Sequence, residues 1–160
     1  MSLSNSPDRD YDVNHVQVRN FFVSAQPELE VRPAVTSEQM AAAGLRAFAR
    51  IALAWKLNVD EQLILLGQPP RSTFFAWRKH PDKASLSRDT LERLSNLLGI
   101  YKSLQILLPD AEAADDWVRK PNRAAPFGGA SALSCMLAGN VSDLHLVRRY
   151  LDGVRGGGWS

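Results

Sequence analysis

The chain has 160 residues, enough for one domain or two very small ones with a real core, and its 45% hydrophobic and 22% charged content is that of an ordinary globular protein. A formal net charge of +2 makes the whole only weakly basic, so the local placement of charge matters more than the total. A single cysteine, Cys135, excludes an intrachain disulfide; "MSLSNSPDRDYDV" lacks the pattern of a secretory signal and no apolar run is long enough to span a bilayer, so no membrane partner is expected and the expected setting is the cytoplasm.

Residues 1–35 read as an arm. Pro7, Pro27 and Pro33 interrupt any helical period, and three arginines stand against five carboxylates, a net −2. "HVQVRNFFV" (His15 to Val23) has the look of a short strand, and a mobile tail is the alternative. At Thr36 the character changes. "TSEQ" is a capping box with Thr36 as cap and Gln39 reaching back. The helix that follows, to Lys56, carries Leu45, Phe48, Ile51, Ala52 and Trp55 on one stripe. "NVDE" (Asn58 to Glu61) repeats the start signal, and Leu63, Leu65 and Leu66 lead to Gly67. After "QPP", a helix starting near Ser72 or Thr73 carries three aromatics and ends at His80-Pro81. Ser87 opens a long helix to about Leu108, striped by Leu91, Leu94, Leu97, Leu98, Tyr101 and Leu104. A short helix is expected at 110–119, then a Pro- and Gly-rich loop, a small helix from Ser131 to Ala138, and a last one capped by Asn140. Its stripe is Val141, Leu144, Val147, Leu151 and Val154, expected to pack on "SALSCML". The body is therefore expected to be all-α, divided into the arm (1–35), a helix-turn-helix module (36–108) and a C-terminal unit (109–160).

Asp60 to Lys79 has the layout of a helix-turn-helix: a short helix, a glycine able to take a positive φ, and a second helix. In such motifs the N-terminal residues of the second helix sit over base edges, here Arg71, Ser72 and Thr73. Between Gln68 and Arg88 five cations (Arg71, Arg78, Lys79, Lys83 and Arg88) face one anion, Asp82, which suits phosphate contacts. Phe74 and Trp77 are expected in the core. A helical bundle with surface arginines that never meets DNA is the bland alternative. The extra proline in the turn leaves the register of the second helix open.

Further on, "LSRDTLERLSNLLGIYKSLQILLPD" and "ADDWVRKPNRAAPFGGASALSCMLAGNVSDLHLVRRYLDGVRGGGW" resemble the antitoxins of the Xre/MbcA/ParS family. The matching elements are "RL..LL.I...L", a Trp followed by "PN", "FGG.SAL..M..G" and "VRRYLD..RGG", in order, over about residues 50–160. The resemblance implies an Xre-like helix-turn-helix that binds operator DNA and represses its own operon, and a C-terminal toxin-binding domain. The "FGG.SAL…RRYLD..RGGW" version is most similar to the Xre partners of RES-domain toxins. These toxins deplete NAD⁺, and the antitoxin occludes their active-site entrance. Within that domain Arg148, Arg149 and Arg155 lie off the apolar stripe, Gly156, Gly157 and Gly158 free the backbone, and Trp159 is placed to anchor a partner. Folding back of Trp159 onto its own chain is the alternative. A homodimer is expected, since paired half-sites are how small readers reach useful affinity.

Enzyme chemistry finds no support in the residues. His15, His80 and His145 are scattered, and Cys135 lies in an apolar helical stretch. "FGG" and "RGGG" lack the strand–glycine–helix context of a phosphate cradle, and no cofactor or metal is expected. Asp110, Glu112, Asp115 and Asp116 are explained by the start of a helix. A stand-alone regulator or partition-type DNA-binding protein, using the same motif without a toxin, is the other reading.

Overall fold

The computed structural model describes residues 33–157; the expected strand at His15–Val23, Gly158 and Trp159 lie outside the described residues. Among the described residues there are seven α-helices and two 3-10 turns, and the only β pairing is an isolated bridge between Pro121 and Ser131. The all-α architecture is thus as the periodicity indicates. Among the described residues, those from Val35 to Gly157 belong to one compact unit.

Helix α1 (Ser37–Ala54) starts where the capping box places it. The Thr36 hydroxyl accepts from the Gln39 N–H at 3.2 Å, and the Gln39 side chain accepts from the Thr36 N–H at 3.0 Å. Its stripe is buried as expected: Leu45, Phe48, Ile51 and Ala52, with Trp55 just beyond its end. Lys56 takes φ 55°, and α2 (Val59–Leu65) begins under a second reciprocal cap between Asn58 and Glu61, at 2.8 and 3.0 Å. Helix α3 spans Arg71–Lys79 and is followed by a 3-10 turn at Pro81–Lys83.

Helix α4 (Arg88–Leu107), capped by Ser87, is the spine of the molecule: α1 packs along it on one side and α7 on another. Leu94, Leu97, Ile100 and Leu104 form its buried line. Leu91, expected in that line, is 37% exposed, and Ile100 takes the inward place. The helical region expected at 110–119 divides into α5 (Ala111–Asp116) and a 3-10 turn, Trp117–Arg119. Helix α6 (Ala132–Met136) starts from Ser131, whose hydroxyl accepts from the Ser134 N–H at 3.0 Å. Helix α7 (Val141–Arg155) starts from Asn140, whose N–H donates to the Asp143 carboxylate at 3.0 Å.

The packing of α7 differs from the sequence expectation. It touches α6 but lies principally along α4, because Leu144, Val147 and Leu151 present more apolar surface than a five-residue helix can cover. Val154, the last residue of the expected stripe, is 43% exposed, since it sits in the final turn past the buried contact.

Candidate functional site

The corner between α2 and α3 is fixed by its backbone. Gly67 has φ 88° and Gln68 φ 58°, and the Gln68 N–H closes α2 by donating to the Leu63 carbonyl at 2.7 Å. A Cβ on Gly67 would come within 2.7 Å of an Asp89 carboxylate oxygen and 3.0 Å of Arg93 Nε, so both conformation and space call for glycine. Helix α3 begins at Arg71, earlier than the expected start at Ser72 or Thr73. Pro70 occupies the cap position, its fixed φ of −54° serving in place of a side-chain cap, and its carbonyl accepts from the Phe74 N–H at 3.0 Å.

Phe74 and Trp77 turn inward, 2% and 9% exposed, as their spacing indicates. Arg71, Ser72, Phe75, Ala76, Arg78 and Lys79 face out, while Thr73 is half-buried on the flank. Helix α3 carries no carboxylate. Arg71 forms an ion pair with Asp60, and the Arg78 guanidinium lies over the Phe74 ring, 5.8 Å from its centroid. Lys79, Lys83 and Arg88 are exposed and make no ion pair among the described residues. Asp82, the one acid of this stretch, is held by Arg46 through two contacts of 2.7 Å, which takes its charge out of play. The outcome is a cationic surface with an apolar ring, Phe75, near its centre.

This corner is tied to the C-terminal half by Arg119, which stands between the Trp and the "PN" of a matched motif but carried no expected role. Its guanidinium donates to the carbonyls of Trp55 (2.8 Å) and Lys56 (2.9 Å) and to the Glu61 carboxylate (3.0 Å). The first two contacts satisfy carbonyls where α1 ends, and the third braces the cap of α2. Arg93 works alongside it, bonded to Asp89 at 2.7 Å and to the Gly139 carbonyl at 3.0 Å.

In the C-terminal half, "FGG" is a structural plug. Phe127 is 4% exposed and meets Trp117 and Tyr150 edge-on, with ring centroids 6.0 and 5.0 Å apart, while Trp117 and Tyr150 stack at 6.3 Å. Gly128 and Gly129 take φ of 55° and 94°. The loop they close is organised by Asn122, whose side chain accepts from the Ala124 N–H at 2.9 Å and whose carbonyl accepts from the Gly129 N–H at 2.8 Å. Phe127, Gly128 and Gly129 therefore deliver the chain to Ser131 at the start of α6.

The arginines of α7 are placed unequally. Arg148 lies across α4 over Gly99, where a Cβ would meet its guanidinium carbon at 2.7 Å, and donates to the Ser95 carbonyl at 3.1 Å. Arg155 reaches Ser103 at 3.3 Å and lies 3.9 Å from Asp152. Arg149 is exposed and makes no ion pair among the described residues. Gly156 caps the helix with φ −76°, and Gly157 turns to φ 66°. Beside this end Leu107, Leu108, Trp117, Tyr150 and Val154 line a shallow apolar depression, with Ile106, 55% exposed, on the same helical turn as Leu107 and Leu108. Sequence periodicity did not single out this depression, because Ile106 and Val154 look like any other members of an apolar stripe. Among the described residues no group of three His, Cys, Asp or Glu is placed to hold a metal, and no helix is long and apolar enough to cross a membrane.

A glycine-turned helix pair with a cationic second helix free of carboxylates, built onto a helical C-terminal half, defines a helix-turn-helix protein with a second helical part. Residues 34–99 match the antitoxin Xre-like helix-turn-helix domain, and residues 103–157 match the antitoxin Xre/MbcA/ParS C-terminal toxin-binding domain. An uncharacterized protein of Sinorhizobium fredii, y4oB, is 54% identical over 115 residues, which are 72% of this chain and 86% of that protein. The chain belongs to the Xre/MbcA/ParS antitoxin family, whose two domains are non-enzymatic and imply a toxin and DNA as partners.

Proposed function

We propose that this antitoxin neutralises a RES-domain toxin, of the class that depletes NAD⁺, by covering its active-site entrance, and that as a homodimer it represses its own operon through α3. The observation that carries the reading is that two distinct groups of exposed residues remain on one compact unit. One is the cationic face of α3. The other is the end of α7, which carries the exposed Arg149 and Arg155 and where Val154 lines the apolar depression. An exposed apolar depression suits a protein interface, and a run of exposed cations on a helix without carboxylates suits a phosphate backbone. The run "FGGASALSCMLAGNVSDLHLVRRYLDGVRGGGW" supports the RES assignment by its similarity to the Xre partners of those toxins. Arg148, Arg149, Arg155, Gly156, Gly157, Gly158 and Trp159 are the proposed toxin-facing residues. Arg71, Ser72, Thr73, Arg78, Lys79, Lys83 and Arg88 are those proposed for DNA.

Co-purification of the full chain with the product of the adjacent reading frame tests the partner; a partner without RES-type NAD⁺ depletion refutes the toxin assignment. A chain truncated after Arg155 is expected to protect cells expressing the toxin less well than the full chain. Equal survival would remove Gly156 to Trp159 from the interface. Arg71→Ala and Arg78→Ala are each expected to weaken binding to the DNA upstream of the gene, by roughly 1–3 kcal/mol where the arginine reads a base. Unchanged affinity and salt slope would place the DNA surface elsewhere.

A further inference from the structure

Phe75 is left unexplained by the core. At 3.6 residues per turn Arg71, Phe75 and Lys79 form one line along α3, and Ser72 and Ala76 the next. All five are exposed, so Phe75 lies in the middle of the outward face. The inward positions are already filled by Phe74 and Trp77. Phe75 is nevertheless 46% exposed, its ring edge-on to Phe74 with centroids 5.3 Å apart, which limits its freedom without covering it. Its outward neighbours Ser72 and Ala76 are small, so the phenyl stands clear of the helix surface between two cations of its own line. A ring in that setting faces whatever the surrounding cations bring to it.

On the reading that α3 enters a major groove, the chemistry of the groove narrows what Phe75 meets. Base edges there offer hydrogen-bond donors and acceptors, with which a phenyl makes no useful bond. The one apolar group is the C5-methyl of thymine. We propose that Phe75 is a specificity-determining residue that packs on a thymine C5-methyl, while Lys79, the exposed cation of its own line that makes no ion pair among the described residues, holds a phosphate. Burying one methyl against an aromatic ring is worth a factor of about four in affinity, and two symmetric half-sites multiply that factor.

The test uses the full chain and a duplex carrying the DNA immediately upstream of its reading frame, amplified with either dTTP or dUTP, so that the two probes differ only in the C5-methyl. A duplex of scrambled sequence serves as the non-specific reference. The wild-type protein is expected to bind the thymine probe about fourfold or more tighter than the uracil probe. Phe75→Ala is expected to bind both probes equally, at the wild-type level for uracil, with the salt slope unchanged because the phosphate contacts remain. Failure of the wild type to distinguish the probes, while still preferring the upstream sequence to the scrambled one, overturns the role of Phe75 and leaves the DNA reading standing. A preference that persists in Phe75→Ala also overturns it, since the methyl would then act through DNA shape. No preference for upstream over scrambled DNA overturns the reading of α3 and this role with it. Loss of toxin co-purification in Phe75→Ala, with DNA discrimination intact, assigns the ring to a protein contact instead. The wild-type comparison of the two probes does not depend on how well any variant folds.

Discussion

The two halves of the molecule use their cations in opposite ways. On and after α3, Lys79, Lys83 and Arg88 are exposed and make no ion pair among the described residues, while the neighbouring carboxylates Asp82 and Asp89 are held by Arg46 and Arg93. In the C-terminal half Arg119, Arg148 and Arg155 reach back onto carbonyls and hydroxyls of their own chain. An exposed cation contributes little to stability and much to attracting a polyanion. A guanidinium bonded to its own chain does the reverse: it fixes one segment against another, and Arg119 also satisfies carbonyls at the end of α1 that would otherwise lack partners. So charge count alone misleads. Five cations near α3 and several near α7 look alike in the sequence, yet Lys79, Lys83 and Arg88 make no ion pair among the described residues while Arg148 and Arg155 bond to their own chain.

Substitutions can break this contrast or sharpen it. Phe127→Ala is expected to have the largest effect, about 3–5 kcal/mol, because the ring plugs a cluster with Trp117 and Tyr150 and is 4% exposed. Denaturant unfolding measures it, and a loss under 1 kcal/mol would mean the loop collapses to fill the space. Gly67→Ala follows at about 2 kcal/mol, combining the left-handed backbone with the approach of Asp89 and Arg93. Its DNA affinity should fall further than its stability, since the angle between α2 and α3 depends on that turn. Arg119→Ala is expected to cost about 1–2 kcal/mol, the upper range for charged hydrogen bonds being discounted because its side chain is 39% exposed. A double-mutant cycle with Glu61→Ala should show coupling; strict additivity would mean that only the two carbonyl contacts count. Lys79→Ala closes the series with a stability change within about 0.5 kcal/mol. It should nevertheless lower the salt dependence of DNA binding by about one unit of slope, which separates availability for phosphate from structural use.

Much of the architecture was legible because its signals are local. Thr36, Asn58, Ser87, Ser131 and Asn140 each stand at a helix start, and a cap acts within three residues of itself. The inward turn of Phe74 and Trp77 followed from spacing, and the positive φ of Gly67 from its place between two helices. The start of α3 was set one residue early by Pro70, since proline's fixed φ makes it compatible with a helix entrance that sequence signals assign to Ser72 or Thr73. Gly99 gave no warning: a glycine inside a helix looks like a weak point, and its use as a seat for Arg148 is visible only when α7 lies against α4. The same holds for Arg119, which contacts residues 58 to 64 positions away.

The sequence by itself determined the all-α class, the side-chain-capped helix starts, the glycine-turned corner and the family, because caps, periodicity and ordered motifs are properties of short stretches of chain. Tertiary structure alone decided which cations stay available, that α7 lies along α4 rather than chiefly on α6, and that Phe75 and Val154 remain exposed. Those outcomes depend on which surfaces are left over once Leu97, Ile100, Leu144, Val147 and Leu151 have been buried together. Apolar burial has no direction of its own, so its final partition is settled only by the way whole helices fit against one another.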